Sequence, residues 1–219
     1  MTTAPSTLAD IPGLIRVETT TPADLTIRCS EMTRDSYPHQ QVYGTYCTIH
    51  QHVDCPPEAA FDYLRQGHHL EEWTFSLREF AYTSTPGLWQ GDDRLAPNTR
   101  IFGRVVANAD AMTVDYHCAW DQGDTLWMIY LMRVVPASLV LGRPGSLITW
   151  TNCRHPHYVR NPHPSLTPGP ERPWVGDYWD LFYAGHTIEM GNLRAILEHR
   201  HRNGLAINVP PAPAQSVTP

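Results

Sequence analysis

Not one lysine occurs among the 219 residues, so all 16 basic side chains are arginines, set against 22 acidic ones. A Schiff-base lysine and a lysine general base are thereby excluded. The formal net charge of -6 comes with no basic stripe of the kind that follows a phosphate backbone, and nucleic acid is not expected as a partner. The five cysteines (Cys29, Cys47, Cys55, Cys118, Cys153) are scattered without a C-x-x-C pair. That argues against a disulfide framework and a zinc ribbon, and fits a reducing cytoplasm. No apolar run approaches the roughly 18 to 20 residues of a membrane span. The first residues carry neither the basic nor the continuous apolar region of a secretory signal, so a cytoplasmic protein without a membrane partner is expected. There is no internal repeat. No G-x-S-x-G elbow, Walker loop or helix-opening G-x-G-x-x-G is present, which removes the usual entry points to serine hydrolases, nucleotide hydrolases and dinucleotide oxidoreductases.

What is present is a globular balance, 42% hydrophobic and 17% charged, enough for one sizeable core. Residues 1–40 are rich in Thr, Ser and Pro without a sustained period, and residues 209–219 are Pro-rich. Both read as poorly ordered ends flanking one domain over 41–208. Val42 to Val53 alternates like a half-buried strand. Behind Pro56 and Pro57, Ala60, Phe61 and Leu64 share a helical face, and after Gly67 a second short helix is marked by Leu70 and Trp73. Six short runs then follow (REFAYTST, GLWQGD, TRIFGRVVAN, TVDYHCAW, TLWMIYLMRVV and GSLITWTNC), separated by turn signals, and they predict an antiparallel meander. The six prolines between His155 and Gly176 demand a loop. From Asp177 to about Arg202, Trp179, Phe182, Ile188, Leu193, Ile196 and Leu197 recur at helical spacing, and Gly204 follows a basic last turn.

This order of elements resembles the helix-grip fold of the SRPBCC or START-like superfamily, which includes polyketide cyclases and aromatases, ligand carriers and lipid-transfer domains. VDCPPEAAFDYL resembles the entry into that family's first helix, HHLEEWTF its second short helix, and DLFYAGHTIEMGNLRAIL its closing helix. The resemblance covers roughly residues 41–203. It implies an α+β fold in which a curved antiparallel sheet of about seven strands wraps a long C-terminal helix, with an apolar cavity between them. The implied activity is that of a cyclase, aromatase or dehydratase acting on a polyketide-like or aromatic intermediate. The alternatives are a non-catalytic carrier of a small apolar ligand and a metal-dependent enzyme. Monomer and homodimer both fit the resemblance, and its members usually work without metal.

Twelve histidines supply candidates for chemistry. His69 with Glu72, His68 with Glu71, and His186 with Glu189 stand at i, i+3, which sets imidazole and carboxylate on one helix face for acid/base work or for a metal. With Phe182 and Leu193 inward, His186 and Glu189 fall beside the apolar stripe on the cavity wall. We expect His186 as the general acid or base and Glu189 as the group that tunes it. In TVDYHCAW, alternation points Val114, Tyr116, Cys118 and Trp120 inward and Asp115 with His117 outward. Expected substrate contacts are Trp73, Arg104, Tyr116, Trp120 and Phe182, with Arg104 or Tyr116 holding a substrate oxygen. No cofactor is the leading expectation. The alternative is a divalent metal held by His69, Glu72, His186 and Glu189, if the two elements meet across the cavity mouth. His155 and His157 are placed in a mouth loop. His199 and His201 complement a helix dipole, and Cys47 and Cys118 are core residues.

Overall fold

The computed structural model describes residues 7–36, 46–95, 98–121, 123, 125–166 and 174–209. Expectations for residues 42–45, for 167–173 of the Pro-rich loop and for 210–219 lie outside the described residues. In chain order the elements are helix α1 (Pro22–Ser36), strand β1 (Tyr46–Val53), helices α2 (Pro57–Leu64) and α3 (Leu70–Trp73), and strands β2 (Leu77–Tyr82), β3 (Trp89–Asp93), β4 (Thr99–Asn108), β5 (Thr113–Trp120) and β6 (Met128–Pro136). Helix α4 (Ala137–Val140), strand β7 (Ser146–Cys153) and helix α5 (Phe182–Arg202) complete the set.

The seven strands form one antiparallel sheet in the order β1-β7-β6-β5-β4-β3-β2. β2 to β7 is the predicted meander, with α4 in the connection between β6 and β7. β1 and β2 are neighbours in sequence but lie at opposite edges, so α2 and α3 must carry the chain across the sheet. The strands alternate as two-faced strands should: β7 reads buried at Ser146, Ile148, Trp150 and Asn152 and half-buried between them. β2 departs from regular pairing between Arg78 and Ala81, where Glu79 takes a positive φ of 57°. The Glu71 carboxylate accepts the Phe80 N–H at this bulge. Gly91 faces it because a Cβ there would stand 2.7 Å from the Arg78 carbonyl oxygen.

α5 lies on the concave face. Leu193, Ile196 and Leu197 are 0% exposed and pack with Val53, Leu64 and Ile148 in the main core. A 3-10 segment, Val175–Leu181, leads into α5, so the long helix expected from Asp177 begins as a tighter coil. The far end of α5 is tied down by charge. Both Arg200 guanidinium nitrogens donate to Glu72 at 3.0 Å, and the Tyr63 hydroxyl donates to the same carboxylate at 2.7 Å. Burial pushes the Glu72 carboxyl up, but hydrogen bonds from His69, Arg200 and Tyr63 outweigh it and hold the group at about 2.

The N-terminal residues differ from the expectation of a poorly ordered end. Ile11 and Leu14 enter the main core. The Asn192 side chain accepts the Ile15 N–H at 2.9 Å and donates to the Ile15 and Trp73 carbonyls at 2.8 and 3.1 Å. Arg78 grips Glu18 with two donors, at 2.5 and 2.6 Å. α1 then packs Leu25 and Cys29 against Ala184 and Ile188 of α5. A start signal for α1 is visible in hindsight: Thr21 caps Asp24 N at 3.1 Å, with Pro22 at the first helical position.

Truncation before Asp177 is expected to abolish cooperative unfolding, because it uncovers the concave face; circular dichroism with a denaturant series checks this. Arg200→Leu leaves the Glu72 carboxylate buried without its main partner and is expected to cost about 3–5 kcal/mol in the same assay. Glu72→Gln combined with Arg200→Leu should recover part of that loss.

Candidate functional site

Where α5 begins, the sheet and the helix stand apart and enclose a cavity of about 200 Å³. Tyr116, Cys118 and Trp120 of β5, Met128 and Tyr130 of β6, and Trp150 of β7 form its floor, and Phe182, Gly185, His186 and Glu189 its α5 wall. Trp73 and the following residues Thr74–Leu77 bound it on a third side. Leu25, Thr26 and Cys29 of α1 close it over, with Tyr178 and Leu181 of the 3-10 segment. The α1 cover was not foreseen. An engineered cavity of about 150 Å³ holds one benzene, so this space suits one or two fused rings.

His186 and Glu189 both line the cavity, as the helical spacing predicted. The His186 ring stacks on the Trp150 indole at 4.2 Å between centroids and meets the Tyr130 ring edge-on at 5.4 Å. Burial alone lowers its pKa to about 3, so the ring is neutral near pH 7 and presents one donor and one acceptor nitrogen. Its partial surface exposure opens onto the cavity. Glu189 is 6% exposed. One of its oxygens accepts the Phe75 N–H at 3.3 Å, and no other protein hydrogen bond is made by its carboxyl among the described residues. Burial pushes its pKa up to about 8; the Phe75 N–H pulls it back, Asp93 pushes it up again and Arg78 draws it down. A carboxyl in this range is mostly protonated at neutral pH yet able to ionise, the property required of a proton-transferring group. Of the two groups, Glu189 has the pKa nearer neutrality, and His186 is held neutral far below its ordinary value.

Trp73, Tyr116, Trp120 and Phe182 also line the cavity, and Trp73 is a buried wall residue, packed edge-on against Trp150 at 5.6 Å. The Tyr116 hydroxyl is unavailable to a ligand, because it donates to the Leu64 carbonyl at 2.6 Å and so satisfies the end of α2. Arg104 is misplaced in the sequence reading. It pairs in register with His117, one residue out of phase with the inward Gly103 and Val105, and it is exposed on the outer face. His69 and Glu72 do not face His186 and Glu189 either. Their pair is held by Arg200, three helical turns along α5 from Glu189. His69 is 0% exposed and stacks on Tyr63 at 4.1 Å, with its Nδ1 3.3 Å from Glu72, so the pair belongs to the ion-pair clamp. The four residues named for a metal therefore do not converge, and no other group of three or more His, Cys, Asp or Glu among the described residues is arranged to hold an ion. His155 and His157 lie against Trp127, at 5.5 and 5.3 Å, and none of the three lines the cavity, although Trp127 packs in a cluster with the lining residues Trp120 and Met128.

Trp150 and Tyr130 were missed. Alternation in their strands carries the signal, but choosing the inward phase needs the register Met132↔Trp150 and Tyr130↔Asn152, which only the pairing supplies.

The two titrations leave opposite marks on stability. Unfolded Glu189 ionises from about 4.5 while the folded carboxyl holds its proton to about 8, so stability falls as pH rises across that window. Unfolded His186 charges below about 6.5 and the folded ring resists until about 3, so its contribution is full above 6.5 and is lost as pH falls below it. Between pH 6.5 and 8 only the Glu189 slope remains of the two, and Glu189→Gln is expected to flatten it. Denaturant midpoints of both proteins at half-unit pH steps check this.

No family model matches the chain, and no curated protein does. Solved structures with a related outline include a START superfamily protein from Mycobacterium smegmatis, 16% identical, covering 71% of this chain and 99% of that one at a TM-score of 0.45. The Aha1 dimer from Colwellia psychrerythraea is 11% identical over 70% of this chain and 96% of that one, with a TM-score of 0.45. DynU16, a protein of the dynemicin biosynthetic locus, is 12% identical over 75% of this chain and 50% of that one, with a TM-score of 0.43. No transmembrane-capable helix occurs among the described residues. From its own strand order and closing helix, the chain has a helix-grip α+β fold.

Proposed function

We propose that the chain binds a small apolar or aromatic molecule in this cavity and acts on it by proton transfer, as a cyclase, aromatase or dehydratase does. The observation that carries the reading is a single buried carboxyl, Glu189, ionising near 8 on the wall of an aromatic-lined cavity. In its acid form Glu189 donates a proton to a departing hydroxyl, which leaves as water. The resulting carboxylate takes the proton from the adjacent carbon as the double bond forms, and Glu189 returns to its starting state. Neutral His186, packed between Trp150 and Phe182, orients a ligand oxygen through one ring nitrogen. The surrounding rings keep water out and supply flat contact at low entropy cost. No cofactor is called on.

The second reading, a carrier without turnover, is favoured by the loss of Arg104 and the Tyr116 hydroxyl as groups for a substrate oxygen. A two-ring ketone, α-tetralone, separates the two. In heavy water an enzyme of the proposed kind accelerates exchange of the protons beside the carbonyl. Glu189→Gln should then lose about 100-fold or more of that rate while affinity, read from tryptophan fluorescence, changes only a few-fold. Saturable binding with no acceleration in the unaltered protein would establish the carrier instead.

A further inference from the structure

The cavity wall carries two carboxyl residues, Glu189 of α5 and Asp93 of β3, and not one arginine among its described residues. With lysine absent from the chain, no cationic side chain among the described residues lines the cavity to receive an anionic ligand. The guanidinium that acts on Glu189 is that of Arg78, which is outside the lining and is committed to Glu18 through two donors. Its pull on Glu189 is weaker than the push from Asp93. Burial strengthens this asymmetry, since charge is poorly screened where water is excluded. Glu189 also presents a buried carboxyl with one oxygen lacking a protein partner, on a wall otherwise built largely of rings. Aromatic faces attract cations as well as apolar surface.

We propose that the cavity takes a one- or two-ring aromatic molecule bearing a basic nitrogen, with its ammonium at the Glu189 and Asp93 end and its rings among Trp73, Trp150 and Phe80. The inference rests on the reading that this cavity is the ligand site, and deepens it by naming the ligand's charge. An ammonium needs the carboxylate form of Glu189, so binding expels the proton that burial otherwise retains. Amine affinity therefore rises with pH up to about 8. The titratable and charged groups facing Glu189 are Asp93 from β3, Arg78 from β2, Cys29 from α1, Tyr130 from β6 and, one turn away, His186. Near pH 7 the Cys29 thiol, raised to about 11, the Tyr130 hydroxyl, held well above its ordinary value, and the neutral His186 ring keep their states, which leaves Glu189 as the group that responds among these.

The test uses three matched probes on the full chain, naphthylmethylamine, naphthylmethanol and naphthoate, titrated calorimetrically between pH 6 and pH 8. The amine should bind about tenfold or more tighter than the alcohol at pH 8, with naphthoate weakest, and its advantage should shrink toward pH 6. Glu189→Gln should cut amine affinity about tenfold and leave the alcohol within about threefold, which also shows that the variant is folded. Asp93→Asn should move the amine in the same direction, so the idea stays open to refutation should the first variant not fold. If the alcohol binds as tightly as the amine, or naphthoate binds best, the charge inference is overturned while the cavity remains a ligand site. If none of the three binds, both readings are overturned together.

Discussion

A bent seven-stranded sheet exposes an apolar concave face, and among the described residues α5 is the long helix that covers it; most of the architecture follows from that constraint. Over its second half α5 meets the sheet closely, and Leu193, Ile196 and Leu197 fill the gap completely. Beside its first half a cavity remains between helix and sheet. Polar groups on the same helix thus meet two different fates. Glu198 and Arg200 are satisfied where the core is closed: Glu198 accepts the Asp54 N–H at 3.0 Å, and Arg200 holds Glu72. His186 and Glu189 are desolvated where it is open, with little protein to satisfy them, and that imbalance shifts both pKa values toward the neutral forms.

Asn192 sits between these halves and shows how the rest of the chain is recruited. Its one amide binds the backbone at Ile15 and at Trp73, so the N-terminal segment and the end of α3 are fixed to the same point of α5. From there the Arg78–Glu18 pair carries the segment on toward α1, which closes the cavity with Leu25 and Cys29. The cover is therefore held by polar bonds at its root and by the packing of Leu25 and Cys29 on α5 at its tip.

Much of the fold was legible because strands and amphipathic helices carry their own period. Alternation in TVDYHCAW placed Tyr116, Cys118 and Trp120 inward, and spacing from Phe182 placed His186 and Glu189 on the cavity wall. The errors arose where position depends on partners distant in sequence. Arg104 was assigned without the register that turns it outward. His69 and Glu72 were read as ligands because their spacing looks the same whether the carboxylate faces a metal or Arg200, and Arg200 lies 128 residues away. The N-terminal segment lacks a strong period, and its order comes from Asn192, 177 residues on. Spacing could not show how desolvation sets His186 and Glu189 apart, because their pKa shifts depend on a burial that only the fold supplies.

The proposed proton transfer depends on Glu189 being a neutral carboxylic acid in the unliganded folded protein near pH 7. Infrared difference spectroscopy reads this directly, by comparing the protonated-carboxyl band of the unaltered protein with that of Glu189→Gln across a pH series. The account requires a band absent from the variant, present at pH 6 and bleaching with a midpoint near 8. A Glu189 carboxyl already ionised at pH 6 would contradict it.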